Sequence, residues 1–140
     1  ESVAAEHAAS QVGVALGMAT LLRGTAAHAA QGCTYLPAEI TKRHNVKLSE
    51  MLRGHASAAV CDAVAEVASD AVTHLLSARS LRDDVPKAAR PILLPAILAE
   101  HMLDNLKRNG YSPFAEGVRA PPGGASLQLS LLWSRWTSRY

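Results

Sequence analysis

Apolar positions recur every three to four residues along most of this chain, and polar turns interrupt them at intervals. Six segments read as helices on that pattern. The first runs from about Ser2 to Ala30, where Gly32 and then Pro37 supply the usual stop. A short helix over about 38–44 ends before Asn45, and another begins near Ser49, whose hydroxyl suits an N-cap. The longest regular helix covers about 56–81. RDDVP closes it, and Pro86 opens the next, over about 87–109. NGYSP (109–113) is turn chemistry, because Asn-Gly tolerates positive φ. RAPPGGAS (119–126) reads as a connector. LQLSLLWSRWTSRY (127–140) reads as a closing helix that carries Trp133 and Trp136. There is no strand-like alternation and no internal repeat, so the expected fold class is all-α.

Helical geometry sorts the faces. At about 100° per residue, Val60, Val64, Val67, Ala71, His74, Ala78 and Leu81 fall on one stripe of the 56–81 helix. Asp62, Glu66 and Asp70 share another, about 130° away. Three acids at that spacing could hold a divalent cation, but a stripe turned from the core offers no concavity, and a solvated face is the simpler reading. In the first helix, Ala8, Val12, Leu16 and Ala19 share one face. Gly13, Gly17, Thr20, Gly24 and His28 share a second. A glycine inside a helix costs about 1 kcal/mol relative to alanine, so this column needs a compensating role. Either another helix packs very close, which is the preferred reading, or the face lines a cavity.

Composition narrows the function classes. The chain has 140 residues, is 49% hydrophobic and only 4% aromatic, and carries a net charge of +2. Alanine-rich apolar content favours close helix packing over a sheet. The mean hydropathy, +0.05, is high for one small domain, which implies apolar surface covered by further chain or a partner. The chain opens at Glu1 without a methionine, which fits an upstream segment that is missing here. No basic block supports nucleic-acid binding. The longest apolar run, PILLPAILA, is far short of the roughly 20 residues that span a bilayer. Cys33 and Cys61 form no CxxC pair and read as reduced, buried thiols. With His28 they match no common zinc spacing, and no metal is expected.

Two segments carry a resemblance. VGVALGMATLLRGTAAHAAQGCTYLPAEITKRHNV (12–46) resembles the second conserved region of the squalene and phytoene synthases, through Gly13, Ala15, Leu16, Leu22, Arg23, Gly32, Tyr35, Leu36 and Pro37. HLLSARSLRDDVPKAARPILLPAILAEHMLDNLKRNGYSPF (74–114) is similar to the family's late helices and their closing turn. The resemblance implies a partial prenyl-synthase-like (isoprenoid synthase) helical bundle. Residues 1–118 would be the C-terminal half of the domain, 119–126 a Pro/Gly connector and 127–140 a closing helix. In the family's enzymes this first helix presents acids that bind magnesium against a diphosphate. Aligned residue by residue, those acids fall on Gly24, Ala27 and His28, and a preceding asparagine falls on Thr20. The resemblance therefore implies a degenerate metal and diphosphate motif (Thr20, Arg23, Gly24, Ala27, His28), no catalytic residue and no cofactor.

HAASQVG (7–13), LRGTAAH (22–28), YLP (35–37) and RWTSRY (135–140) are closer to a non-catalytic subgroup of the family, the mitochondrial complex I assembly factors, than to its enzymes. That likeness implies a pseudoenzyme on the matrix side of the mitochondrial inner membrane, peripheral and not spanning. It would act as scaffold, assembly factor or accessory subunit, with other protein subunits as partners. Arg23 would pair with an acid on a neighbouring helix or, less simply, contact an anionic head group. Gly13, Gly17 and Tyr35 could line a residual cavity that still holds an isoprenoid or lipid. Trp133 and Trp136 could anchor an interface. The alternatives are a divergent transferase using prenyl diphosphates through Asp62, Glu66 and Asp70 or through acids of the missing half, and a non-catalytic lipid-binding protein.

Overall fold

The computed structural model describes residues 2–120. The elements expected within those residues are present as helices, and no strand occurs among them. The connector beyond Ala120 and the closing helix with Trp133 and Trp136 lie outside the described residues.

Helix α1 spans Val3–Arg23. Ser2 caps it, its hydroxyl accepting the Ala5 N–H at 3.4 Å. The single helix expected through Ala30 instead breaks at Gly24, which stays right-handed (φ −77°, ψ −6°), and α2 continues as Thr25–Ala30. Gly32 then takes φ +75°, a left-handed exit that a side chain would strain. Helix α3 is Ala38–Arg43 and α4 is Leu48–Leu52. Lys47 occupies the cap position before α4, so Ser49 lies one residue inside the helix and caps nothing. Helix α5, Ala58–Ser80, is capped by Ser57, whose hydroxyl accepts the Val60 N–H.

The helix expected over about 87–109 starts late. Pro86 opens a turn, with its carbonyl accepting the Ala89 and Arg90 N–H groups. A 3₁₀ turn, Arg90–Leu93, follows, and α6 begins only at Pro95 and runs to Arg108. Proline lacks the N–H that an interior position needs, so Pro91 and Pro95 are each tolerated only in a first turn. Helix α7, Glu116–Arg119, sits beside α6, and Asn105 donates to the Gly117 carbonyl at 2.6 Å.

Helix α1 is the centre of the packing, most extensively against α5 and next against α6. Its contact face is Ala8, Val12, Ala15, Ala19 and Leu22, all buried. Facing alanines from α5 (Ala63, Ala71, Ala78) and α6 (Ala96, Ala99) are buried too. Small side chains let helix axes approach to the short end of the usual 8–10 Å range, so the close packing that glycine promised is made by alanine on the other side of the helix. The stripe read along α5 is correct at Val60, Val64, Val67, Ala71 and Ala78. His74 stands at its margin and bonds Gln11 of α1 through Nδ1 at 2.6 Å.

Gly13 and Gly17 are exposed, and a Cβ at either would meet nothing within 4 Å. The preferred reading of the glycine column, a helix packed close upon it, does not hold among the described residues. The alanine face has already turned the column outward. The Gly17→Ala variant is therefore expected to stabilise the isolated chain by about 0.5–1 kcal/mol. Urea denaturation followed by circular dichroism measures this, and a destabilised variant would show that something does close on Gly17.

Candidate functional site

The residues aligned with the acidic motif gather around the break between α1 and α2. Gly24 is compact because it must be. A Cβ there would stand 2.8 Å from His28 Cε1 and 3.3 Å from the Thr20 carbonyl oxygen. The four-residue helical spacing brings the His28 ring back over Gly24. On its other side the ring meets Tyr35 edge to face, with centroids 4.6 Å apart and planes at 79°. Its Nδ1 is buried without a hydrogen-bond partner. Thr20 and Ala27 are exposed. The Thr25 hydroxyl, the one buried polar side chain among the described residues, donates to the Leu21 carbonyl and closes on its own helix.

Arg23 differs from the expectation. No acid pairs with it among the described residues, and its Nε is buried without a partner.

Tyr35 stands 61% exposed at the mouth of a small apolar cavity of about 110 Å³. Met18, Leu21, Leu22, Leu36 and Val67 form its walls. Gly13 and Gly17 are not among its lining residues; they lie on the open face of α1. Val14 (43% exposed) and Leu21 (44%) flank them, and with Ser10 and Thr20 they form a face that is open among the described residues.

The acid stripe of α5 separates into two kinds of position. Asp62 and Asp70 face solvent. Glu66 is half-buried, because Arg43 and His44 at the end of α3 close on its two oxygens, His44 Nε2 at 2.6 Å. The hydrogen bond from His44, with the Arg43 charge beside it, holds the Glu66 carboxyl below the usual range. Both oxygens that a cation would use are thereby engaged. Among the described residues no three His, Cys, Asp or Glu side chains come together as metal ligands. Cys33 and Cys61 are unpaired thiols, only partly buried, and burial pushes that of Cys61 up. No described helix is long and apolar enough to cross a membrane.

An all-helical unit with a Tyr-Leu-Pro exit after its central helix is the class defined so far. A profile of the squalene/phytoene synthase family matches residues 1–137, and the chain belongs to that family. It is similar to the protein named NADH dehydrogenase (ubiquinone) complex I, assembly factor 6, from Rattus norvegicus, with 34% identity across 100% of this chain and 41% of that protein. The protein of the same name from Homo sapiens is 32% identical across 97% of this chain and 40% of its own length. A homolog from Drosophila melanogaster is 38% identical over 76% of this chain and 32% of its own. The chain thus spans about two-fifths or less of the curated relatives it matches. No solved structure matches it.

Two outcomes follow from this geometry. Gly24→Ala forces the His28 ring off its seat, so its cost should shrink in a His28→Ala background. A double-mutant cycle should give a coupling of roughly 0.5 kcal/mol or more, and strict additivity would show that the two positions do not compete for space. The Glu66 contribution runs with pH in one direction. Its folded-state pKa lies below the unfolded one, so its stabilisation is present above the usual carboxylate range and is lost as pH falls through the folded value. Glu66→Gln should flatten that part of an acid-denaturation curve, and an unchanged curve would show that the pairing adds nothing.

Proposed function

We infer that this chain is part of a non-catalytic member of the family, and that it holds other protein subunits during assembly of a mitochondrial complex I-like respiratory complex. The observation that carries this reading is the break between α1 and α2. At the positions aligned with the magnesium-binding acids stand Gly24, Ala27 and His28, and the His28 ring fills the space above Gly24. Magnesium is a hard ion that prefers oxygen ligands, and a neutral imidazole is a poor substitute. The relatives' names, which state an assembly role in complex I, point the same way.

The matrix side of the inner membrane is the proposed location, with a peripheral attachment. The proposed contact surface is the open face of α1, where Gly13, Gly17, Val14 and Leu21 stand uncovered. Trp133 and Trp136 are proposed as further anchors. In this reading residues 1–118 are the C-terminal half of the domain. A second reading, retention of an isoprenoid or other lipid, draws support from the apolar cavity beside Tyr35. That cavity holds only the end of a chain, so the ligand would extend onto the open face.

Cells lacking the full-length protein should lose assembled complex I on native gels and regain it with the wild-type protein. They should also regain it with Asp62→Ala, and should not with Val14→Glu or Gly17→Leu, which alter the open face without touching the core. The purified full-length protein should release no diphosphate from farnesyl or geranylgeranyl diphosphate with magnesium. Turnover that vanishes on Asp62→Ala or Glu66→Ala would overturn the reading in favour of a divergent transferase.

A further inference from the structure

A separate concavity opens where α2, the end of α4 and α7 meet. It encloses about 310 Å³, at the lower end of small-ligand clefts, which run to roughly 300–1,000 Å³. Arg53 and Arg119 both line it, beside the apolar walls of Leu52 and Phe114 and a floor of α2 alanines. No acidic residue lines it.

Among the described residues, some arginines elsewhere are held by carboxylates, and others, Arg23 among them, are not. Arg43 closes on Glu66, and Arg79 reaches Glu100 at 2.7 Å. Arg53 and Arg119 have no carboxylate partner among the described residues. Glu50, the acid nearest to Arg53 in sequence, is engaged by Lys47 at 3.2 Å. Helix capping does not occupy these guanidinium groups either. The Gly32 N–H returns to the Ala29 carbonyl and the Gly54 N–H to the Met51 carbonyl, each at 2.9 Å, so α2 and α4 close their own ends.

Two fixed positive charges from different elements, both on exposed residues, share an open hollow whose other lining side chains are hydrocarbon. An arginine fork matches two oxygens of a phosphate group, and an apolar wall suits whatever the phosphate is esterified to. The helix ends nearby oppose an anion only weakly, since even a long helix carries no more than about half a charge at its terminus. We propose that this hollow binds a phosphate group, with Arg53 and Arg119 on its oxygens and Leu52 and Phe114 against the body it is attached to. A phospholipid headgroup and a soluble phosphate ester share that chemistry. The site stands apart from the α1 face and does not rest on the assembly role.

The test uses the full-length protein in two arms at low ionic strength. One arm is calorimetric titration with glycerol 3-phosphate. The other is flotation with phosphatidylcholine vesicles, with and without phosphatidylglycerol. Saturable binding is expected in at least one arm, and which arm it is tells the headgroup from the soluble ester. Arg53→Gln and Arg119→Gln should each weaken it by about tenfold or more, the size expected for losing a charge-assisted hydrogen bond. The control pair Lys42→Gln/Arg108→Gln removes two exposed charges elsewhere and should leave affinity within about twofold, because screened charges outside the hollow add little. Thermal melts confirm that each variant is folded, and Arg→Lys at either position should recover part of the affinity. No saturable binding in either arm would overturn the proposal. So would binding that the control pair weakens as much as the hollow variants do.

Discussion

The whole arrangement depends on how closely α1 can approach α5 and α6. Alanine decides that distance. Ala8, Ala15 and Ala19 are buried with Val12 and Leu22 on the face of α1 that packs against α5 and α6, whose own alanines are buried too. Such a seam tolerates little. An added side chain there has nowhere to go, and overpacking of this kind costs about 1–3 kcal/mol. Larger side chains, Met51, Val60 and Val64 among them, fill the space where the helices diverge. Because α1 is held along one face, its opposite face is fixed in direction as well, and that second face is where the family's chemistry would be placed.

The break at Gly24 is where sequence and chemistry meet. A glycine and a histidine four residues apart form a single packed unit, ring over backbone, and Tyr35 closes the other side of the ring. The unit is compact and contains no carboxylate. Carboxylates on the same turn would need cations or water around them, because unpaired charges held together are costly. Glu66 shows the contrast. It keeps its charge by recruiting Arg43 and His44 from the end of α3, and so becomes a structural clasp between α3 and α5.

Much of this was legible from spacing. The stripe along α5 and the buried face of α1 follow from helical period, because alanine and valine at those positions have no other way to leave water. The caps were less legible: Ser49 was the expected one, while the hydroxyls that cap are those of Ser2 and Ser57. The break after Arg23 and the late start of α6 were harder. Gly24 keeps right-handed angles, so no left-handed residue marks the break, and the seat of the His28 ring over it is a three-dimensional fact. Pro91 and Pro95 compete to start the same helix, and the pattern alone does not choose between them. The Glu66 clasp joins residues 22 and 23 positions apart, and the hollow with Arg53 and Arg119 joins residues much further apart than that. No local signal announces either. The family itself came from the Leu-Arg and Tyr-Leu-Pro matches, not from hydropathy.

The glycine column poses the remaining physical question. Each glycine weakens α1 relative to alanine, and among the described residues nothing approaches Gly13 or Gly17 to offset the loss. Val14 and Leu21 beside them stay partly in water, which adds a second unfavourable term on the same face. Both terms change sign together if a further helix or apolar body lies against that face. Backbone without side chains admits a close approach, and the flanking Val and Leu then bury what they now expose. A face that is unfavourable by itself on two independent counts, and favourable on both when covered, is the physical basis for proposing a contact surface there.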